Sequence, residues 1–444
     1  MNRCDREAFD YDVAVSSDNE PVCIVGAGPC GLLAAAALKK RGIPFGIVDA
    51  GRHPGGIWDI ERDATPMYDS AHFISSRRLS GFPDFPMPET YPDYPRHDLI
   101  LEYIQAFARH HDLERHITFG VRVESAVRGE GGGWNVTLSS GEDRACSALC
   151  LATGTTWQPR VPQVPGHFEG EAYHSFHYRS PKEFDGKRVL IVGGGNSAAD
   201  IACDAARSAK RAFISLRRGY YFIPKFVFGL PADVFAHSGP QVPRWLEERL
   251  FGFLMNRILV GDLTKYGLQK PDHPILRSHP ILNTQILHHL GHGDIEARKD
   301  VKSFDGHTVH FVDGTSEEVD LIVWATGYDK RFPFLPDSEL GGNPDALVLY
   351  LNVFHRRHAD LFFIGLFETD GAQYGLAGTQ AELIAAYLDV NLPGPTRAAF
   401  DRQRASDRPD LRGGVHYIDS VRHNYYVKGD VYEKVLRRAA RTLQ

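Results

Sequence analysis

The 444-residue chain is short of several things. It has only six cysteines, at 4, 23, 30, 146, 150 and 203, with no CxxC pair and no metal-ligand spacing among them. That pattern excludes a disulfide scaffold, a zinc module and a dithiol redox centre, and it suits a reduced, cytoplasmic protein. Long apolar runs are missing too. The most apolar stretch, 250–261, contains Asn256 and Arg257 and cannot cross a bilayer unaided. The first residues, MNRCDREAFDYD, lack the apolar segment of a signal peptide. Positive charge is not in excess: 50 Lys and Arg against 56 Asp and Glu give a formal charge of −6, which argues against a nucleic-acid partner. Apolar and charged content are ordinary for a globular protein, and the length suits two domains.

Glycine is present in clusters, and two clusters share one setting. Val22 to Val25 reads as a buried strand, Gly26-Ala27-Gly28-Pro29-Cys30-Gly31 follows, and Leu32 to Arg41 is a strong helix former closed by Gly42. Val189 to Val192 is likewise a strand, followed by Gly193-Gly194-Gly195-Asn196-Ser197-Ala198 and a helical pattern. A strand, a GxGxxG/A turn and a helix make a dinucleotide fingerprint. The glycines allow a tight turn and close approach of a diphosphate, and the helix N-terminus faces that diphosphate with free N–H groups. The next strands end differently. Phe45 to Val48 ends in Asp49, 18 residues after Gly31, where an acid suits an unphosphorylated ribose as in FAD. Arg211 to Leu216 ends in Arg217 and Arg218, where cations suit the 2′-phosphate of NADPH. Each unit then closes on an ATG strand, Ala148 to Gly154 and Val319 to Gly327. The expected architecture is α/β, with two Rossmann-like dinucleotide-binding domains. The FAD-binding domain takes 21–165, the NADPH-binding domain is inserted at 166–330, and 331–444 returns to the first domain and ends in a charge-rich, mostly solvated extension. Residues 1–20 read as a loose arm, Asp313-Gly314 marks a hairpin between Thr308 to Val312 and a strand at 319–324, and a helix is expected from about Thr379 to Asp389.

Between the two fingerprints, Phe168-x-Gly170-x-x-x-His174-x-x-x-Tyr178 matches every fixed position of the FxGxxxHxxxY signature of flavin-containing monooxygenases, which are related to Baeyer–Villiger monooxygenases. The resemblance covers most of the chain. Pro54-Gly55-Gly56-Ile57-Trp58 resembles the GGxW element that runs along the flavin, and Phe82 to Pro88, FPDFPMP, resembles the loop that approaches it from the side opposite the nicotinamide unit. Ala325-Thr326-Gly327-Tyr328 resembles the FATGY motif, with Trp324 in place of Phe. The resemblance implies cofactor contacts from Gly56, Trp58, backbone around Val123, Thr153 and Gly154, Thr326 and Gly327, and Gln373. It also implies NADPH reduction of FAD, a C4a-(hydro)peroxyflavin formed with O2, and oxygenation of a nitrogen or sulfur nucleophile in a small organic substrate. One departure stands out. Many members carry an Asn before the FPDFPMP loop, and here that position is Ile74.

No Ser/His/Asp triad or metal cluster is evident, and no side-chain catalyst is assigned. Baeyer–Villiger oxidation of a ketone is the alternative reaction, and a non-catalytic FAD/NADP redox sensor is the alternative of another class. A disulfide or ferredoxin reductase and an N-hydroxylating amine monooxygenase are disfavoured by the signature. Residues 220–278 read as an insertion, with a helical stretch at 242–260. It is a candidate entrance cover, homodimer contact or membrane-surface contact.

Overall fold

The computed structural model describes residues 20–238, 244–341 and 347–443. The expected arm thus lies outside the described residues except for residue 20. Val22–Val25 (β1) is buried along its length and carries no charge, so it sits at the middle of a sheet. It feeds helix Pro29–Lys40 (α1), which buries its Leu and most of its Ala residues and exposes Lys40 at its end. The chain returns as Phe45–Asp49 (β2), parallel to β1 and in register from Val22 opposite Phe45 to Val25 opposite Val48. Ala148–Leu151 (β3) pairs in parallel on the other side of β1. Ile117–Phe119, Leu361–Phe363 and two short antiparallel strands complete seven.

The second sheet is parallel throughout. Arg188–Val192 (β4) leads into helix Asn196–Ser208 (α2), and Arg211–Ser215 (β5) and Leu321–Trp324 (β6) flank β4. Glu171–His174 and Ile295–Arg298 form its edges. The first sheet uses residues from 22–151 and 349–363 and the second from 171–324, so one α/β unit interrupts the other. The two crossings pair with each other: Gln158–Pro159 lies antiparallel to Tyr328–Asp329, and Arg160 Nε donates to Asp329 Oδ1 at 2.6 Å.

Several expectations change. Thr308–Phe311 forms its hairpin with Ser316–Glu318, not with 319–324, because the apolar β6 is claimed by the second sheet, where all four of its residues are buried. The helix expected from about 379 is Gln373–Leu388 (α3). Gly378 lets its backbone pass close to the 82–88 loop: a Cβ there would stand 2.4 Å from Pro83 Cγ. The charge-rich end is not simply solvated. Gly429–Arg441 is a helix that buries Tyr432, Leu436 and Ala439 on one face, while its cations occupy the other. Tyr426–Val427 pairs with Glu368–Thr369, so the chain's end is fastened to the first unit. In the insertion, helix Arg244–Phe253 continues as a wider helical turn, Leu254–Leu259.

Candidate functional site

Both glycine turns open on one cleft of about 1030 Å³. That is at the top of the range of about 300–1,000 Å³ usual for ligand pockets. At the first turn the need for glycine is steric. A Cβ on Gly31 would lie 1.9 Å from the Gly26 carbonyl oxygen, and one on Gly56 would lie 2.9 Å from Gly28 Cα. The GGxW element therefore rests directly on the turn. Helix α1 starts with no side-chain cap and no acid in its first turn, and Pro29 stands at its first position. Its free N–H groups and positive dipole end fit a diphosphate. Asp49 lines the cleft while its carboxylate accepts from Ala27 N–H (2.6 Å) and Gly51 N–H (2.6 Å) and pairs with Arg62 (2.8 Å). It thus braces the turn at the wall of the cleft.

The second turn repeats the arrangement. A Cβ on Gly193 would meet the Ala325 carbonyl oxygen at 2.2 Å, and α2 starts uncapped at Gly195 with no acid in its first turn. Asn196 spends its side-chain oxygen on Leu282 N–H at 2.8 Å. The sequence reading passed over Gly194, yet a Cβ there would lie 2.1 Å from the Tyr220 ring.

Of the expected cofactor residues, Gly26, Gly28, Pro29, Asp49, Gly56, Trp58, Val123, Thr153, Gly154, Gly195, Asn196, Ser197, Gly327 and Gln373 line the cleft. Gly31, Gly193 and Thr326 stand just behind it as turn-shaping residues, with the Thr326 hydroxyl donating to the Arg160 carbonyl oxygen. Arg217 and Arg218 lie outside the cleft lining. Arg217 is exposed, whereas Arg218 is paired with Asp272 at 2.8 Å. The two cations of the sequence motif are therefore not equivalent.

The 64–96 stretch is irregular but packed. Tyr103 fixes it twice, donating to the Phe85 carbonyl oxygen (2.5 Å) and accepting from Phe82 N–H (2.6 Å). Trp58 donates to Tyr374 at 2.8 Å, and Phe73 packs on both rings. Ile74 lines the cleft as the resemblance would place it. His174 and Tyr178 of the signature are buried. His174 bridges to the Gly327 carbonyl oxygen (3.0 Å), and Tyr178 donates to Asp204 (3.0 Å). Asp204 also accepts from Ser70 of the first unit at 2.5 Å, so the signature ties the units together.

Sequence reasoning missed two polar groups on the cleft. In one, Tyr68 (3.2 Å) and Asn283 (2.6 Å) donate to Asp200. Burial raises the Asp200 carboxyl, opposed by nearby Lys225, and lowers the Lys225 ammonium. The other comprises His279, Lys330, Glu368, Arg422 and Tyr426, from four distant stretches of chain. Arg422 Nε pairs with Glu368 at 2.8 Å; although burial works the other way, Arg422 and Lys330 bring the Glu368 carboxyl down to about 2. No motif marks these positions. Among the described residues no group of His, Cys, Asp and Glu could hold a metal, and no helix is long and apolar enough to cross a membrane.

Two dinucleotide-binding units with uncapped helix starts on a common cleft define a flavoprotein oxidoreductase that brings two nucleotide cofactors together. The comparisons narrow the class: residues 19–433 match the family model of flavin-binding monooxygenase-like proteins, and the chain belongs to that family. It is 33% identical over 424 residues to N-oxide-forming dimethylaniline monooxygenase 2 of Rattus norvegicus, covering 88% of this chain and 78% of the relative. It is 30% identical over 390 residues to a probable indole-3-pyruvate monooxygenase of Arabidopsis thaliana, covering 84% and 89%. The fold is similar to that of S-allyl-L-cysteine S-oxygenase from Allium sativum (TM-score 0.66, 23% identity, 95% of this chain and 88% of that one). It is also similar to a steroid monooxygenase bound to NADP (TM-score 0.69, 21% identity, 95% and 98%). The enzyme is a flavin-dependent monooxygenase, and FAD and NADP(H) are the cofactors of its family.

Proposed function

We propose that this chain is an NADPH- and O2-dependent FAD monooxygenase that oxygenates a nitrogen or sulfur nucleophile of a small organic substrate. The observation that carries the reading is the shared cleft running from one uncapped helix start to the other past Trp58, Phe73 and Tyr374. Gly26, Gly28 and the start of α1 would hold the FAD diphosphate, and Asp49 its ribose. Gly195, Asn196, Ser197 and the start of α2 would hold the NADPH diphosphate, with Arg217 at the 2′-phosphate. Trp58, Val123, Thr153, Gly154, Gly327 and Gln373 would complete the cofactor walls. Bound FAD, reduced by NADPH, supplies the oxygen-activating chemistry. The chain's own task is to position the cofactors and exclude water. The packed 64–96 stretch and the apolar Ile74 suit that second role. Insertion residues Ile223, Val227 and Phe251 add an apolar wall from the second unit.

We further propose a cytoplasmic setting, in keeping with five free cysteines among the described residues. Self-association as a homodimer through exposed Phe226, Phe228, Phe253 and Ile258 is the companion proposal, to be checked by sedimentation.

The test is ¹⁸O2 turnover of the FAD-loaded protein with NADPH and three substrates: N,N-dimethylaniline, methyl phenyl sulfide and cyclohexanone. One ¹⁸O in the N-oxide or sulfoxide supports the proposal. A lactone from the ketone alone would favour the Baeyer–Villiger alternative. NADPH oxidation that yields only hydrogen peroxide with all three would sink both.

A further inference from the structure

Lys330 is buried, with 6% of its surface exposed, and its ammonium has no hydrogen-bond partner among the described residues. It sits on the cleft, immediately after the crossing strand Tyr328–Asp329. An unpaired buried cation is expensive, and proteins rarely keep one without a use. The neighbouring acids give it no hydrogen bond, although the Glu368 carboxylate attracts it through space. Asp329 is engaged by Arg160, and Glu368 by Arg422. With those two pairs cancelled, Lys330 leaves the locality one positive charge in excess. The Tyr425 ring, 4.6 Å from Nζ, offers partial compensation through its π face.

Two further groups on the cleft lining complete the setting. The Arg422 guanidinium spends its Nε on Glu368 and lies 3.9 Å from where a Cβ on Gly195 would stand. His279 Nε2 is a second buried polar atom without a partner. In the tautomer in which His279 Nδ1 accepts from the Tyr426 hydroxyl, 3.1 Å away, Nε2 carries the proton and can donate. Burial holds that imidazole neutral, its pKa pushed down to about 3. An ammonium, a guanidinium and an N–H donor, brought from three stretches of chain to one wall, make a receptor for a group with two or more anionic oxygens.

We propose that Lys330, with Arg422 and His279, forms an oxyanion subsite of the cleft. It takes either a carboxylate carried by the organic substrate or the diphosphate of NADPH. The inference rests on the oxygenase reading for its substrate arm only, because binding to the subsite needs no turnover.

The experiment uses the FAD-loaded protein and the variants Lys330→Met and Lys330→Arg. Melting temperature is measured with and without inorganic diphosphate and 4-(dimethylamino)benzoate, NADP⁺ affinity by flavin absorbance titration, and kcat/KM for 4-(dimethylamino)benzoate against N,N-dimethylaniline. Lys330→Met should melt no lower than the parent without anion, because it removes an unpaired buried charge, and should lose the anion-dependent rise. Lys330→Arg should keep that rise. For a carboxylate source, the carboxylate-to-neutral ratio of kcat/KM falls roughly tenfold to a hundredfold in Lys330→Met, with NADP⁺ affinity retained. For a cofactor source, NADP⁺ affinity falls by that factor and the substrate ratio is kept. A Lys330→Met protein that melts lower without anion, yet responds to both anions as the parent does, overturns the proposal and makes Lys330 a structural residue. These melting and NADP⁺ readouts stand even if none of the test substrates is oxygenated.

Discussion

The signature histidine offers a test whose size can be worked from the structure. His174 is buried, with Nδ1 accepting from Phe176 N–H at 3.1 Å and Nε2 donating to the Gly327 carbonyl oxygen at 3.0 Å. A second proton would have to go on Nδ1, which already faces an N–H. Burial accordingly holds its pKa down at about 4, against 6.5 for an ordinary histidine. Because the folded state favours the neutral ring, the resulting stability is present in full above pH 6.5 and is lost as pH falls toward 4. Those 2.5 pH units, at about 1.4 kcal/mol each, amount to about 3 kcal/mol. The perturbation is His174→Gln, whose amide can still donate to Gly327 but cannot titrate. Leaving Phe176 N–H without an acceptor costs about 1–3 kcal/mol at every pH. Urea unfolding of both FAD-loaded proteins from pH 7.5 to 4.5 is the assay. His279, His355 and His423 are also held down by burial, so both proteins weaken in acid. The gap between them should close by up to about 3 kcal/mol as pH falls. Parallel curves, or an NMR titration of His174 centred near 6.5, would refute the reasoning.

Three other outcomes follow from the geometry. Gly378→Ala would press a methyl group on Pro83, costing about 1–3 kcal/mol. A lower melting temperature and reduced FAD content check it, and an unaltered protein would mean the 82–88 loop yields freely. Arg217→Ala should raise KM for NADPH roughly tenfold or more without changing that for NADH, and more than Arg218→Ala does, because Arg218 is already paired with Asp272. Equal effects in the two steady-state assays would contradict that ranking. Tyr178→Phe and Ser70→Ala each remove a donor from Asp204, and a double-mutant cycle in urea should give a coupling of about 0.5–3 kcal/mol between the two units. Additive losses would show that the signature tyrosine does not link them.

Much of the fold was legible because its signals are local. Val22 to Gly31 and Val189 to Ala198 each hold a strand, a turn and a helix start in about ten residues, and the strand after each glycine turn ends in the residues that separate Asp49 from Arg217 and Arg218. What escaped was set by contacts distant in sequence. The pairing of Thr308–Phe311 depended on whether β6 belonged to a hairpin or to the second sheet, and only the neighbouring β4 decides that. The start of α3 was hidden by Gly375 and Gly378, which weaken helix propensity, and Gly378 is needed because Pro83 lies against it. Arg422 and Lys330 carried no signal at all. An arginine in a charge-rich tail and a lysine after a strand look solvated until Tyr426–Val427 brings the tail back to Glu368–Thr369.

The crossings explain how one chain can hold two nucleotides in a fixed relation. A single linker would leave the second unit free to swivel. Here the outgoing Gln158–Pro159 and the returning Tyr328–Asp329 form one antiparallel ribbon, closed by Arg160 on Asp329. Two paired strands resist swivelling better than one, and Ser70 on Asp204 adds a second tie between the units. Tyr328 of this ribbon lines the cleft, and so do Gly327 and Lys330 on either side of the strand. Any rearrangement of the second unit on binding nucleotide therefore moves Lys330 relative to Glu368 and Arg422, which belong to the returning part of the chain. The ribbon thus bears both on the relation between the two glycine turns and on the spacing of the proposed oxyanion subsite, and the two are expected to respond together.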